Sequence, residues 1–195
     1  MNPTIVIGVV MNILSTVGVV ITNKYITGVD GYNYMIFLSF LHFAATALGT
    51  RVLLACGVFT YRDAPMSAVL PVSVGSLMSV AFMNLNLANN SVGFYQLSKL
   101  LCIPVTLVIQ YFAYKSSVSN SVKLTLIPIT FGVGYATVYD LDITLTGIVY
   151  ASCAIVATAM SQIFTSTYQK SLDCNALQLL YHTAPLIGMG MLVMC

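Results

Sequence analysis

Apolar residues fill seven long stretches of this chain, and short polar connectors separate them. The stretches lie at 4–22, 34–59, 68–87, 92–114, 124–138, 144–164 and 177–195. Most are close to the roughly 20 residues that a helix needs to cross a hydrocarbon core of about 30 Å. None alternates polar and apolar residues with the period of two that strands of a membrane barrel show. Because backbone groups in lipid must bond within their own segment, the pattern predicts an all-α polytopic membrane protein with about seven transmembrane helices.

The overall composition excludes an ordinary soluble domain. Of the 195 residues, 58% are hydrophobic and 6% are charged, whereas soluble domains carry about 25% charged residues. The mean hydropathy is +0.93. A soluble chain needs a polar surface to face water, and this chain has too few polar residues to supply one. The lipid bilayer is therefore the first partner that we expect.

The positions of the basic residues predict an orientation in the membrane. Connectors after the second, fourth and sixth stretches hold Arg62, Lys115, Lys123 and Lys170, whereas connectors on the opposite side hold only Lys24. Lysine and arginine are enriched in cytosolic connectors of membrane proteins. We therefore expect the N-terminus to be cytosolic.

Several kinds of chemistry have no support in the sequence. The five cysteines are scattered and show no CxxC spacing, so neither a disulfide framework nor a zinc site is expected. His42 and His182 each stand without a second histidine or a carboxylate nearby in the sequence, as a metal site or a catalytic dyad would need. No GxxxxGK[ST] loop is present for nucleoside triphosphates. We expect no cofactor, no nucleic-acid partner and no enzymatic activity.

Lys99 is the charged residue that calls for a function. Counted at 1.5 Å per residue, it lies about 12 Å into the fourth stretch from Ser91 and about 24 Å from Lys115. A lysine stem of about 6 Å would not comfortably reach either membrane surface from there. Tyr95 and Gln96 precede it by four and three residues, so they share its helix face.

The partner of Lys99 is predicted to be an anion that binds and leaves. No Asp or Glu lies inside any of the seven stretches, so a structural ion pair within the membrane is not available. A phosphate group suits a lysine that has tyrosine and glutamine donors beside it. The alternative is a lysine that backbone carbonyls or a water pocket satisfy. The missing carboxylates also argue against an Asp/Glu proton relay, and they favour exchange of solutes as the energy source.

Three segments carry a resemblance to a known family. They are "NLNLANNSVGFYQLSKLLCIPVTLVIQYFAY", "KLTLIPITFGVGYATVYDLDITLTGIVYA" and "YQKSLDCNALQLLYHTAPL". Together they resemble the triose-phosphate-translocator domain of solute carrier family 35, the nucleotide-sugar transporters, and most of all the branch that holds plant UDP-sugar transporters. The likeness covers nearly the whole chain and is densest from Asn84 to Pro185.

The resemblance implies one domain over 1–195 with the fold of the drug/metabolite transporters. That fold has ten helices in two inverted five-helix repeats and a substrate cavity near the midplane. The first repeat would cover about 1–142, and about 143–195 would begin the second. Its implied activity is antiport of a nucleotide sugar against a nucleoside monophosphate in the Golgi or endoplasmic reticulum. The resemblance and the polar character of these positions predict substrate-binding residues at Asn84, Tyr95, Gln96, Lys99, Tyr168, Lys170, Tyr181 and Thr183.

Two departures from the family pattern leave alternatives open. Family members are usually much longer, and this chain stops at Cys195 inside its seventh predicted helix. The sequence also lacks the final helices of the second repeat, where relatives carry another phosphate-binding basic residue. We therefore expect an incomplete ten-helix fold that does not transport alone and that is unstable, dimerises or depends on another membrane protein. The alternatives to a UDP-sugar antiporter are a plastid-type triose-phosphate/phosphate exchanger and a non-transporting fragment or scaffold derived from such a transporter.

Overall fold

The fold described here comes from a computed structural model that describes residues 3–29, 35–115, 119–138 and 144–195. These ranges contain seven α-helices and no β-strand. The helices are α1 (Pro3–Val29), α2 (Met35–Ala55), α3 (Met66–Asn89), α4 (Val92–Tyr114), α5 (Asn120–Val138), α6 (Leu145–Ser171) and α7 (Ala176–Val193). The chain divides into two compact units, Met1–Met35 and Ile36–Cys195, and each is described by itself.

Six of the described helices are long and apolar enough to cross a membrane. They contain the segments Val6–Tyr25, Met35–Ala55, Met66–Asn89, Val92–Tyr114, Leu145–Ser171 and Ala176–Val193. α5 has a shorter apolar segment, Leu124–Tyr135. The prediction of an all-α polytopic membrane protein is therefore confirmed.

The first unit consists mainly of α1. Its apolar side chains, such as Ile7, Leu14 and Ile21, are exposed over most of their surface. None of the five aspartates of the chain lies in this helix. The segment Val6–Tyr25 is apolar enough to cross a membrane although it includes Lys24, and its exposed apolar side chains suit contact with lipid.

In the second unit, α3 packs along α6 and α7, while α4 packs along α6 and α5. Hydroxyl pairs join α3 to α6: Ser76 Oγ lies 2.9 Å from Ser161 Oγ, and Ser79 Oγ lies 2.7 Å from Thr158 Oγ1. The order of these pairs shows that α3 and α6 are antiparallel. Close approach is possible because small residues lie at the contact: a Cβ added to Gly75 of α3 would lie 3.4 Å from Ser161 Cα of α6.

A neutral polar network holds the turn between α3 and α4 against the start of α6. Asn86, which is fully buried, donates to Ser98 Oγ at 2.8 Å. The Asn90 amide donates to Asn86 Oδ1 at 2.8 Å and to the Gly147 carbonyl at 3.1 Å. A Cβ at Gly147 would overlap the Asn90 side chain, lying 2.8 Å from its Cγ. Glycine is therefore required at 147 for this contact.

Local capping sets several helix ends. Ser91 accepts a bond from Phe94 N at the start of α4, and Thr144 accepts one from Gly147 N at the start of α6. α2 ends at Ala55 because the backbone turns at Gly57, whose φ of +73° favours glycine. The contact of Asn90 with the start of α6, and of Thr106 with Gln162 further along, shows that α4 and α6 run parallel. Both helices therefore end on the same side of the membrane.

Candidate functional site

The best-supported candidate site is centred on Lys99, in the first half of α4. Its Nζ lies 4.2 Å from the centroid of the Tyr95 ring, in a cation–π contact. Tyr95 is 8% exposed, and Lys99 is half-buried. The helix spacing of four residues produces this contact, as the sequence predicted.

No carboxylate balances the charge of Lys99 within the described membrane-spanning helices. The aspartates in the described ranges are Asp63 and Asp173, and both lie in connectors. Asp63 accepts a bond from Tyr61, and Asp173 pairs with Arg62. A cation–π contact contributes about 0.5–2 kcal/mol, but it does not supply the counter-charge that a cation inside a membrane protein usually has. The arrangement is therefore suited to receive an anion.

The other predicted residues nearest to Lys99 take different positions. Gln96 is exposed on α4, one turn before Lys99. Asn84 donates to Ser39 Oγ on α2 at 2.6 Å, so this bond ties it to α2. The structure thus brings Tyr95 to Lys99, leaves Gln96 at the surface of the same helix, and engages Asn84 with a different helix.

Thr183 lines a cavity of about 380 Å³ between α2, α3, α6 and α7. Its own hydroxyl donates to the Leu179 carbonyl at 3.0 Å. The lining is largely apolar, and its polar residues are uncharged. Those polar residues are Ser76, Ser79, Ser161, Thr165, Gln169 and Thr183.

The serines and Thr165 of this cavity were not among the predicted site residues. A signal for them was present in the sequence, because Ser76 and Ser79 are three apart and Ser161 and Thr165 are four apart. Those spacings place each pair on one helix face. A hydroxyl pair inside an apolar helix, however, is as typical of helix–helix packing as of a cavity.

Three further predicted residues lie toward the end of α6 or the start of α7. Lys170 lines a separate hollow with Gln110; Gln110 is eleven residues beyond Lys99, or about 16 Å along α4. Tyr168 is half-buried in the last turn of α6. Tyr181 packs edge-on against Tyr61, with ring centroids 5.8 Å apart. The described contacts therefore do not join these residues to Lys99.

Contacts between the α2–α3 connector and the start of α7 form a second polar cluster. Arg62 pairs with Asp173 at 3.3 Å, and Gln178 Nε2 donates to the Thr60 carbonyl at 2.8 Å. His182 Nε2 lies 2.9 Å from the Arg62 carbonyl, so His182 has a structural partner here. Desolvation, followed by the negative charge of Asp63, raises the pKa of Tyr61 above its ordinary value. The Tyr61 hydroxyl is therefore a neutral donor at physiological pH.

Comparison with known proteins agrees with this membrane architecture. UDP-rhamnose/UDP-galactose transporter 1 of Arabidopsis thaliana is 34% identical over 185 residues, which cover 94% of this chain and 53% of that protein. UDP-xylose transporter 2 of the same plant is 34% identical over 175 residues, covering 90% of this chain and 50% of that protein. Nucleotide-sugar uncharacterized transporter 2 of Arabidopsis thaliana is 28% identical over 186 residues, which cover 92% of this chain and 46% of that protein.

The chain spans about half the length of the curated relatives it matches. Residues 5–194 match the profile described as the Triose-phosphate Transporter family. The match covers nearly the whole chain, and the family is one of transporters rather than enzymes. The chain therefore belongs to the Triose-phosphate Transporter family.

Proposed function

We propose that this chain forms part of a secondary-active antiporter that exchanges a UDP-sugar for a nucleoside monophosphate. The observation that carries the proposal is Lys99, a cation well inside a transmembrane helix that has the Tyr95 ring, and no described carboxylate, beside it. The substrate class is supported by relatives named as UDP-rhamnose/UDP-galactose and UDP-xylose transporters. Both proposed solutes carry phosphate, so one cationic site would serve both directions of exchange.

Lys99 would act as the point charge that binds phosphate. The face of the Tyr95 ring attracts the ammonium group and limits the directions in which the lysine stem can point. A bound phosphate would then supply the negative charge that the surrounding helices lack. Because the described spanning helices contain no carboxylate, exchange driven by the counter-substrate is favoured over an Asp/Glu proton relay.

The cavity between α2, α3, α6 and α7 would take an uncharged part of the substrate. Among its polar lining residues, Thr165 and Gln169 are not used in the helix–helix hydrogen bonds described above, so they can donate to and accept from sugar hydroxyls; the volume of the cavity is about 380 Å³. In our proposal α2 and α3 belong to a first repeat over about 1–142, and α6 and α7 begin an inverted second repeat. A site between inverted repeats is the usual basis of alternating access.

The proposed membrane is the Golgi or the endoplasmic reticulum, with a cytosolic N-terminus. The proposed orientation rests on the excess of basic residues in or next to the connectors of one side, since Lys123 and Lys170 lie near the ends of α5 and α6. The proposed membrane rests on the resemblance to the nucleotide-sugar transporters. A glycosylation acceptor placed between Asp140 and Asp142, outside the described residues, should be modified in the lumen. One placed between Lys115 and Lys123 should remain unmodified. The reverse pattern would overturn this orientation.

Uptake into proteoliposomes tests the activity. The matched segment of UDP-rhamnose/UDP-galactose transporter 1 is replaced by this chain, so that the length of the relative is kept. Liposomes loaded with UMP should take up labelled UDP-sugars. In the same chimera, Lys99→Ala should reduce uptake about 10- to 100-fold, since a charge-assisted bond to phosphate contributes about 1.5–3 kcal/mol. Lys99→Arg should retain part of the activity.

Arg51→Ala is the matched control, because Arg51 is an exposed cation in α2. It should leave uptake unchanged. Normal uptake by Lys99→Ala would remove Lys99 from the site. Exchange of inorganic phosphate or triose phosphate, without UDP-sugar uptake, would favour the alternative of a triose-phosphate/phosphate exchanger. An inserted chimera that exchanges none of these would favour a non-transporting protein.

A further inference from the structure

A polar hollow of about 200 Å³ lies between the ends of α4 and α6. Its lining is formed by Gln110, Tyr114, Ile163, Ser166, Thr167 and Lys170. Five of these six side chains are polar, in contrast to the mainly apolar lining of the cavity between α2, α3, α6 and α7. A hollow of this composition in a membrane protein is suited to a polar ligand.

We propose that this hollow binds a phosphate group, and that the phosphate belongs to the headgroup of an anionic phospholipid. Lys170 supplies the positive charge, while the Tyr114 and Thr167 hydroxyls and the Gln110 amide supply neutral donors. Ser166 donates to the Ile163 carbonyl at 3.0 Å, so it shapes the hollow without offering its proton.

The depth of the hollow favours a lipid as the source of the phosphate. α4 has 23 residues, or about 35 Å of helix, and Tyr114 is its last residue. A helix of that length places its end at the level of the headgroups. Tyr114 is 51% exposed, and tyrosine is typical of this membrane level. Basic pockets between transmembrane helices are known sites for phospholipid headgroups.

Charge at this end of the second unit also supports an anionic ligand. Lys115 follows Tyr114, ends α4 with a left-handed backbone (φ +50°), and is exposed. Among the described residues, no carboxylate forms an ion pair with Lys170, because Asp173 pairs with Arg62 and Asp63 accepts a bond from Tyr61. The carbonyl ends of α4 and α6 oppose an anion. The two lysines must offset that effect, which makes binding depend on them.

The test uses the purified full chain in detergent, titrated with short-chain phosphatidylinositol phosphate. Short-chain phosphatidylcholine is the neutral reference, and native mass spectrometry counts the bound lipid. Phosphatidylinositol phosphate should bind more tightly, and added salt should weaken it. Lys170→Gln should weaken binding about fivefold, which is the effect of one basic residue near an anionic lipid. Tyr114→Phe should weaken it by a smaller factor.

Arg51→Gln is the control, because it removes an exposed cation from α2, outside the hollow, and it should leave lipid binding unchanged. An equal loss in Arg51→Gln and Lys170→Gln would overturn the site, since it would show only a general effect of charge. Equal affinity for both lipids would overturn it too. Parallel titrations use inorganic phosphate and UMP. Lysine-dependent binding of these, without binding of the lipid, would overturn the assignment to a lipid.

Discussion

Ser98 and Lys99 are neighbouring polar residues of α4, but Ser98 is hydrogen-bonded in a buried network and Lys99 has no counter-charge among the described residues. Ser98 belongs to a buried neutral network in which Asn86 donates to it and Ser98 itself donates to the Tyr95 carbonyl. Lys99 is half-buried and has the ring of Tyr95 beside it, with no described carboxylate. A step of one residue turns the side chain by about 100° around the helix.

This difference distinguishes the polar groups that stabilise the fold from Lys99, which is available to bind a ligand. The network of Asn86, Asn90 and Ser98 is neutral and almost completely bonded within itself, so it fixes helices in place. Lys99 has a positive charge that no described carboxylate balances. We therefore expect substitutions in the network to change stability and substitutions at Lys99 to change binding.

The largest effect on stability is expected for Gly147→Ala. A Cβ at this position would lie 2.8 Å from Asn90 Cγ, so the added methyl group and the hydrogen bonds of Asn90 cannot both be kept. The free energy of unfolding should fall by about 3 kcal/mol, measured by reversible unfolding in mixed micelles. Gly49→Ala is the control, because a Cβ at that helical position in α2 meets nothing within 4 Å. Similar losses in both variants would contradict the proposed close contact.

Asn86→Ala should have the second-largest effect and should lower the free energy of unfolding by about 2 kcal/mol. It removes a donor from Ser98 and an acceptor from Asn90 in a fully buried place. Asn89→Ala is the matched control, since Asn89 is exposed and bonds only the Leu85 carbonyl of its own helix among the described contacts. The same unfolding measurement should show little change for it. If Asn86→Ala lowers the free energy of unfolding no more than the control does, the network does not hold the turn between α3 and α4 in place.

The ion pair between Arg62 and Asp173 should contribute less. Its side chains are 48% and 93% exposed, and exposed pairs contribute about 0.2–1 kcal/mol. A double-mutant cycle with Arg62→Gln and Asp173→Asn should give a coupling energy of about 0.5 kcal/mol that decreases with added salt. A coupling several times larger, or one insensitive to salt, would show that the pair is more shielded than its exposure indicates.

The smallest change in stability is expected for Lys99→Met. The cation–π contact with Tyr95 is lost, but so is the cost of keeping an ammonium group inside the membrane, and the side-chain length is nearly kept. The free energy of unfolding should change by about 0.5 kcal/mol or less. Together with lost uptake in the chimera, this result would separate Lys99 from the network beside it. A loss as large as that of Asn86→Ala would instead make Lys99 a structural residue.

The helices were predicted well from apolar runs, whereas their ends were predicted less well. The stretch 92–114 coincides with α4, because Ser91 caps the helix where the apolar run also begins. The stretch 144–164 ended too early, since α6 continues to Ser171. Hydrophobicity reports where lipid begins and ends, but a helix stops where its backbone turns. At the end of α2 that turn comes at Gly57, before the apolar run ends.

The site was predictable only where its contacts are local. Tyr95 and Lys99 meet because residues four apart lie on one helix face, and sequence spacing contains that information. The bond from Asn84 to Ser39 joins two helices. The hollow around Lys170 also needs two helices, α4 and α6. Which face of one helix meets another depends on packing, so spacing within one helix could not reveal these contacts. The substrate-binding roles of the predicted residues stay predictions.

The hydrogen bond from Asn90 to Gly147 forms late during synthesis, because its acceptor is made after its donor. Its two residues are 57 positions apart. At translation rates of about 5–20 residues per second, α6 begins to emerge about 3–11 seconds after the α3–α4 turn. Throughout that interval the Asn90 amide lacks its acceptor on α6. Because Asn90 lies at the turn between α3 and α4, water or lipid headgroups can bond its amide until α6 arrives.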